Sequence, residues 1–363
     1  MAENNINSSK VNATLESDVM KVFAVLTVMF QGLLTFMIKQ PLNPGQKVEV
    51  GILYDLVRFS ASVFIFAICF DLAKMKTVKY PKYIYKKFKE LLIPYFCWST
   101  IYILTINFSS YTSVSGILQA YVFGTASAHL WYTVMMFQFH LLIIPILFLA
   151  NKIRKNRKIS IPVLCTSLVL YVFFIFIYDR YIFTQSNKYL GYADRTFIMY
   201  SIFCILAIVT SVNYEKWKKV IHKIKFFIIP IFLIVYIVTN NELLANGASH
   251  IDLRNATSLK PSMLAYNILV IILIFSFALM LINHHSRVLP FIKWLSTYAF
   301  RAYLANIFCL NLVVKLLGKS LKIIPLNMAL PLIWFTTAVF SFTIVFVIHT
   351  GFNKLKKQLR VKR

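Results

Sequence analysis

Met263-Leu-Ala-Tyr-Asn-Ile-Leu-Val-Ile-Ile-Leu-Ile-Phe-Ser-Phe-Ala-Leu-Met-Leu-Ile-Asn283 runs for 21 residues without a charged side chain. At 1.5 Å rise per residue a helix of this length covers about 30 Å, the thickness of a bilayer's hydrocarbon core. Comparable runs lie at 19–37, 52–72, 91–108, 129–150, 160–178, 196–212, 226–239, 297–317 and 328–350. With 59% hydrophobic residues and a mean hydropathy of +0.70, the chain reads as an all-α polytopic membrane protein of about ten transmembrane helices. The run at 226–239 is the shortest, and the amphipathic stretch Val114 to Phe123 reads as a surface or re-entrant helix.

The connecting loops fix the orientation. Lysines and arginines crowd between Lys74 and Lys89, between Lys152 and Lys158, between Lys216 and Lys225, and in the tail from Lys354 to Arg363. The loops between these are poor in basic residues, and Ser109 to Ala128 carries no charge. Short basic loops remain in the cytoplasm, so both termini are expected there and the number of spans is expected to be even. The domain organisation is then a cytoplasmic tail over 1–18, one transmembrane domain over 19–350 and a basic cytoplasmic tail over 351–363. The polar N-terminus lacks the pattern of a cleavable signal, which leaves the first span as an anchor in the plasma membrane.

The net charge of +27 is spread over juxtamembrane loops, a distribution that suits topology and anionic lipid heads and argues against nucleic acid. Cys69, Cys97, Cys165, Cys204 and Cys309 all fall in predicted spans without metal or redox spacing, so no disulfide and no metal is expected. Walker, His-Glu-x-x-His and Gly-x-Ser-x-Gly motifs are absent. Carboxylates deep in the spans are nearly absent too, which speaks against an ion-coupled transporter.

Polar residues inside lipid are the functional candidates. Asp55 and Arg58 stand three apart and therefore on one helix face, one to two turns in from the outer side, either as a local ion pair or as lining for an anionic ligand. His129-Leu-Trp-Tyr132 opens the fourth span, followed by Gln138 and His140. His129 reads as an interfacial or a functional histidine; His140, about three turns on, reads as a buried neutral residue or as a second one on the same face. Arg195, Arg254 and Lys260 with Arg58 either make an electropositive outer mouth or are simply solvated. Lys21 and Arg301, near the cytoplasmic ends of their spans, are placed to snorkel.

Several local stretches resemble the acyltransferase-3 superfamily of membrane proteins, which modifies cell-surface carbohydrates. Tyr85-Lys-Lys-Phe-Lys-Glu-Leu-Leu-Ile-Pro-Tyr95 is similar to the basic stretch and Ile-Pro-Tyr that open its third span. His129-Leu-Trp-Tyr132 resembles its His-Leu-Trp-Phe, and Ser296-Thr-Tyr-Ala-Phe-Arg-Ala-Tyr-Leu304 its approach to the penultimate span. Asn213-Tyr-Glu215, Gln138-Phe139 and Tyr266-Asn267 look like the branch found with intercellular-adhesin loci for poly-N-acetylglucosamine, whose members are described as exporters or acylators.

The resemblance implies an acyl-CoA donor, acetyl or succinyl, a surface polysaccharide acceptor and a possible partnership with a membrane glycan synthase. Family enzymes place an Arg and, eleven residues on, a general-base His in span one; these slots hold Met20 or Lys21, and Gln31. The span-nine histidine is replaced in Tyr303-Leu-Ala-Asn306. Glutamine and asparagine cannot shuttle protons. The resemblance therefore implies either an O-acyltransferase with an altered site or a non-catalytic component of exopolysaccharide synthesis or export. In the first, His129 or His140 is the base, Gln31 and Asn306 orient substrate, Lys21 meets the donor, and Asp55, Arg58, Trp131, Tyr132, Gln138, Arg195, Arg301 and Tyr303 line the substrate path.

Overall fold

Every regular element in the computed structural model is helical; it describes residues 14–106, 113–182, 192–245, 247, 251, 260–318 and 324–361. Helix α1 (Leu15–Met37) is followed by α2 (Pro44–Leu56), α3 (Ser60–Leu72), α4 (Tyr80–Lys87) and, through a π-helical turn at Phe88–Leu92, α5 (Ile93–Thr105). The short α6 (Val114–Phe123) precedes α7 (Trp131–Leu141), α8 (Ile143–Lys155) and α9 (Ser160–Ile177). Two 3₁₀ turns, Tyr192–Arg195 and Phe197–Tyr200, lead into α10 (Ser201–Val212) and α11 (Tyr214–Leu243). The chain closes with α12 (Pro261–Asn283), α13 (Leu289–Leu317) and α14 (Leu326–Val361).

Among the described residues seven helices are long and apolar enough to cross a bilayer, and eight if the bent pair α7 and α8 is one span. The remaining predicted runs correspond to the shorter α5 and α10. The run at 226–239 sits in the middle of α11, a helix of 30 residues whose apolar stretch faces mostly outward.

Proline places the breaks. Pro145 has no N–H for the Leu141 carbonyl, and the axis turns by 54° between α7 and α8. The freed Leu141 carbonyl accepts from Tyr80 Oη at 3.2 Å. Pro94 sits at the start of α5, where the π-helical turn absorbs its missing donor.

The core forms around α1, which packs on α2, α3, α12, α13 and α14. Gly32 permits the approach to α13: a Cβ there would lie 2.9 Å from Ile307 Cδ1 and 3.3 Å from Asn306 Nδ2. Phe66 and Phe70 on α3 meet Phe275 on α12 edge to face.

Loops segregate to two ends as the charge pattern predicts. At the basic end, Arg154 binds the Ala73 and Met75 carbonyls, Asn151 the Lys76 carbonyl, Tyr214 the Glu16 carboxylate and Ser296 the Asp18 carboxylate. At the opposite end, Thr239 bonds Asp55, Ser262 bonds Glu242 and Arg195 bonds the Phe123 carbonyl.

Helix α1 begins at Leu15, and Glu16, Ser17 and Asp18 are buried, so the segment read as the end of a tail belongs to the packed bundle. Helix α6 is largely exposed, as a surface helix would be. Cys69, Cys204 and Cys309 are buried packing residues, whereas Cys97 and Cys165 are exposed.

Candidate functional site

A cavity of about 320 Å³ opens beside α1 towards the basic-poor end. Helix α1 gives Ala24, Val25, Val28, Gln31, Gly32 and Thr35, a three-and-four spacing that puts all of them on one face, and Lys39 follows in the turn just past its end. Across from it stand Tyr54, Arg58 and Ser60, then His129, Trp131 and Tyr132, then Tyr200, and from α13 Phe300, Tyr303, Ile307 and Asn311. The lining carries two cations, one histidine and no carboxylate.

His129 is buried in the turn that opens α7. Its ring meets the edges of Tyr102 and Tyr303 at centroid distances of 5.5 and 5.0 Å and lies against the backbone of Tyr303 and Leu304. Ser127 Oγ stands 3.2 Å from Nδ1, and the Tyr303 hydroxyl donates to the His129 carbonyl. Nε2 makes no hydrogen bond of normal geometry among the described residues. The turn itself is set by Gly124, whose φ of +65° ends α6 and whose missing Cβ would fall 2.3 Å from Trp131 Cα. Only glycine lets α6 close down on the start of α7 in this way.

A second polar group crosses the cavity from α1. Arg58 Nη1 donates to Tyr54 Oη at 2.6 Å, Gln31 Nε2 to the same oxygen at 3.3 Å, and Ser60 Oγ to Gln31 Oε1 at 3.2 Å. The Arg58 guanidinium also lies 5.3 Å from the Tyr54 ring centroid. The helix is interrupted by a turn at residues 57–59. The expected local ion pair of Asp55 with Arg58 is not formed among the described residues, because the two side chains engage different partners. Asp55 points the other way and accepts from Thr239 of α11 at 2.6 Å.

Other expected residues are placed elsewhere. His140 is buried, with Nδ1 2.7 Å from Tyr83 Oη on the basic-end helix α4; it does not line the cavity or share a site with His129. Lys21 is ion-paired to Asp71 at 2.7 Å, a carboxylate that also accepts from Ser17 at 2.6 Å, so its charge is already matched inside the bundle. Gln138 braces the cavity roof, taking the Phe197 N–H at 2.8 Å and meeting the Arg195 carbonyl at 3.5 Å.

The expected electropositive mouth is reduced. Arg195 lies 3.7 Å from Asp194 and against the Tyr192 ring, and Lys260 lies 3.9 Å from Glu242. Arg254 is outside the described residues. Burial raises the Asp194 carboxyl above its ordinary range, with Arg195 and Arg58 pulling it back. Arg301 is exposed. Asn306, on α13, is fully buried against Gly32 of α1, with neither side-chain polar atom hydrogen-bonded among the described residues.

Trp131, Tyr132 and Tyr303 do line the cavity with Gln31, Arg58 and His129. Among the polar lining residues, sequence reasoning missed Thr35, Lys39, Tyr54, Ser60, Tyr200 and Asn311; Tyr54, beside Asp55, had a polar neighbour as its only signal. Among the described residues no group of three His, Cys, Asp or Glu side chains is placed to hold a metal.

A family model described as an acyltransferase domain matches residues 15–350. No curated protein and no solved structure matches the chain.

Proposed function

We propose that this chain, which belongs to the acyltransferase-3 family over residues 15–350, moves an acyl group from acyl-CoA to a hydroxyl of a cell-surface polysaccharide. The observation that carries this reading is His129: a buried imidazole on the wall of a membrane-embedded cavity, held by Ser127 and Tyr303 and lying against the Tyr303 and Leu304 backbone, with no hydrogen bond of normal geometry to Nε2 among the described residues. A neutral imidazole so placed can take the proton of an attacking hydroxyl. Trp131, Tyr132, Phe300 and Tyr303 supply ring faces and edges of the kind that pack on sugars.

In this reading the acceptor enters from the basic-poor, outer end. The acyl donor, an acetyl or succinyl thioester, comes from the cytoplasm, where the basic loops attract its anionic carrier. The protein works in the plasma membrane beside a glycan synthase, in the manner of the intercellular-adhesin branch. His140 is a structural residue in this scheme, and His129 alone takes the base role.

A second reading is favoured by Gln31 and Asn306, which stand where family enzymes carry histidines. It makes the protein a non-catalytic component of exopolysaccharide synthesis or export. Mass spectrometry of surface polysaccharide from cells with the gene, without it and with His129→Ala separates the two. The enzyme reading expects an O-linked acyl mark that vanishes in the deletion while polymer still reaches the surface. In His129→Ala the mark falls by about 100-fold or more, as removal of a general base does. Lost surface polymer with an unchanged acyl mark on the remainder supports the export reading instead.

A further inference from the structure

Hydrogen-bond accounting around Tyr54 points to a role that no base-centred reading contains. A phenol has one proton to give and two lone pairs with which to accept. Arg58 Nη1 is a pure donor, and it reaches Tyr54 Oη at 2.6 Å. Gln31 presents its amide N–H₂ to the same oxygen at 3.3 Å, because its Oε1 is turned to the Ser60 hydroxyl at 3.2 Å. Both contacts to Tyr54 Oη are therefore contacts in which it accepts. Its own O–H proton has no acceptor among the described residues, and Tyr54 lines the cavity that His129 also lines.

We infer that Tyr54, polarised by Arg58 and oriented by Gln31, is the hydrogen-bond donor to the acyl carbonyl oxygen, so that Gln31 serves as a positioning residue rather than a crippled base. This deepens the acyl-transfer reading above and rests on it. The acceptor hydroxyl attacks the thioester carbonyl carbon and passes its proton to the His129 imidazole. The carbonyl π electrons move to oxygen, where the Tyr54 O–H meets the negative charge. Collapse breaks the C–S bond, and the proton on His129 goes to the departing thiolate, which leaves as CoA thiol. Arg58 can intensify the donor because a cation already hydrogen-bonded to the phenol oxygen draws density from the O–H bond, in a site shielded from bulk water.

The same geometry accounts for glutamine in span one. A carboxylate at position 31 would accept from both Tyr54 and Ser60 and withdraw the donor from the cavity. A glutamine does the opposite, since one end anchors on Ser60 and the other gives Tyr54 a bond that leaves its proton outward.

The test uses membrane vesicles carrying the full-length protein and its endogenous surface polymer, supplied with radiolabelled acetyl-CoA or succinyl-CoA. Label entering the polymer is followed for the wild type, Tyr54→Phe, Gln31→Glu and Ser60→Ala, with each protein checked for a monodisperse size-exclusion profile. Tyr54→Phe is expected to lower kcat by about 100- to 1,000-fold with KM for the acyl-CoA unchanged, the cost of one oxyanion donor. Gln31→Glu is expected to fall as far, whereas a mere replacement base would rescue or raise the rate. Full activity in Tyr54→Phe, a gain in Gln31→Glu, or a loss confined to Ser60→Ala overturns this inference while leaving acyl transfer intact. A wild type that incorporates neither label overturns acyl transfer and this inference together.

Discussion

Lys21 Nζ stands 2.7 Å from Asp71 Oδ2, and that ion pair ties the basic end of α1 to the basic end of α3. Both side chains are mostly buried, and Ser17 adds a hydrogen bond to the same carboxylate oxygen. Removing one partner strands the other charge, which in buried pairs costs about 3–5 kcal/mol. Asp71→Ala is expected to lower the thermal midpoint in detergent sharply, and the pair Lys21→Met with Asp71→Leu to restore most of it. A double variant no better than Asp71→Ala would show that the two residues do not act as a pair.

His140 and Tyr83 make a prediction of the opposite kind. Tyr83→Phe leaves His140 Nδ1 buried without its partner at 2.7 Å, a loss of about 1–3 kcal/mol. Acyl transfer per folded molecule is expected to stay at the wild-type level, because neither residue reaches the cavity. A collapse of transfer at unchanged stability would return His140 to the site.

Asp55 is expected to behave as a joint between α2 and α11. Thr239→Val removes the hydrogen bond to Oδ2 while Oδ1 already lacks one among the described residues, leaving a buried carboxylate without donors. The expected destabilisation is about 3 kcal/mol. Asp55→Asn keeps an acceptor for Thr239 and removes the buried charge, so it should equal or exceed the wild type in chemical-denaturation midpoint and retain transfer. Loss of transfer in Asp55→Asn, with the fold intact, would assign Asp55 to substrate.

Gly124→Ala tests the roof of the cavity. The added Cβ meets backbone atoms of Trp131 at 2.3 and 2.5 Å, which no side-chain movement relieves, and the positive φ adds about 1–2 kcal/mol. Little folded protein is expected by size-exclusion chromatography. Gly247→Ala, with a positive φ and nothing within 4 Å of the new Cβ, is expected to fold.

Apolar length makes the all-α polytopic class legible in the sequence, because a run long enough to cross a bilayer can satisfy its backbone there only as a helix. The bend at Leu142 was also available from Pro145, whose ring cannot follow the Leu141 carbonyl in a straight helix. The break at residues 57–59 was not: Val57-Arg58-Phe59 holds neither proline nor glycine, and only packing against α11 and the cavity separates Asp55 from Arg58. His129 stood out because it opens His129-Leu-Trp-Tyr132, one of the stretches that carry the family resemblance, although a histidine in an interfacial aromatic belt is ordinary. Tyr54 did not, since one tyrosine among the chain's 20 acquires meaning only when a guanidinium and an amide converge on its oxygen.

The central position of α1 has a consequence for biogenesis. The Trp334 indole N–H donates to the Leu26 carbonyl across 308 residues of sequence, and Ser296 reaches Asp18 across 278. Lys21 and Gln31 meet Asp71, Tyr54 and Ser60 as soon as α2 and α3 follow α1 into the membrane. The flank of α1 that packs on α13 and α14 stays uncovered until the far end of the chain arrives. A nascent chain stalled before α13 would hold α1 against α2, α3 and α12 but leave open the flank that the last two helices close.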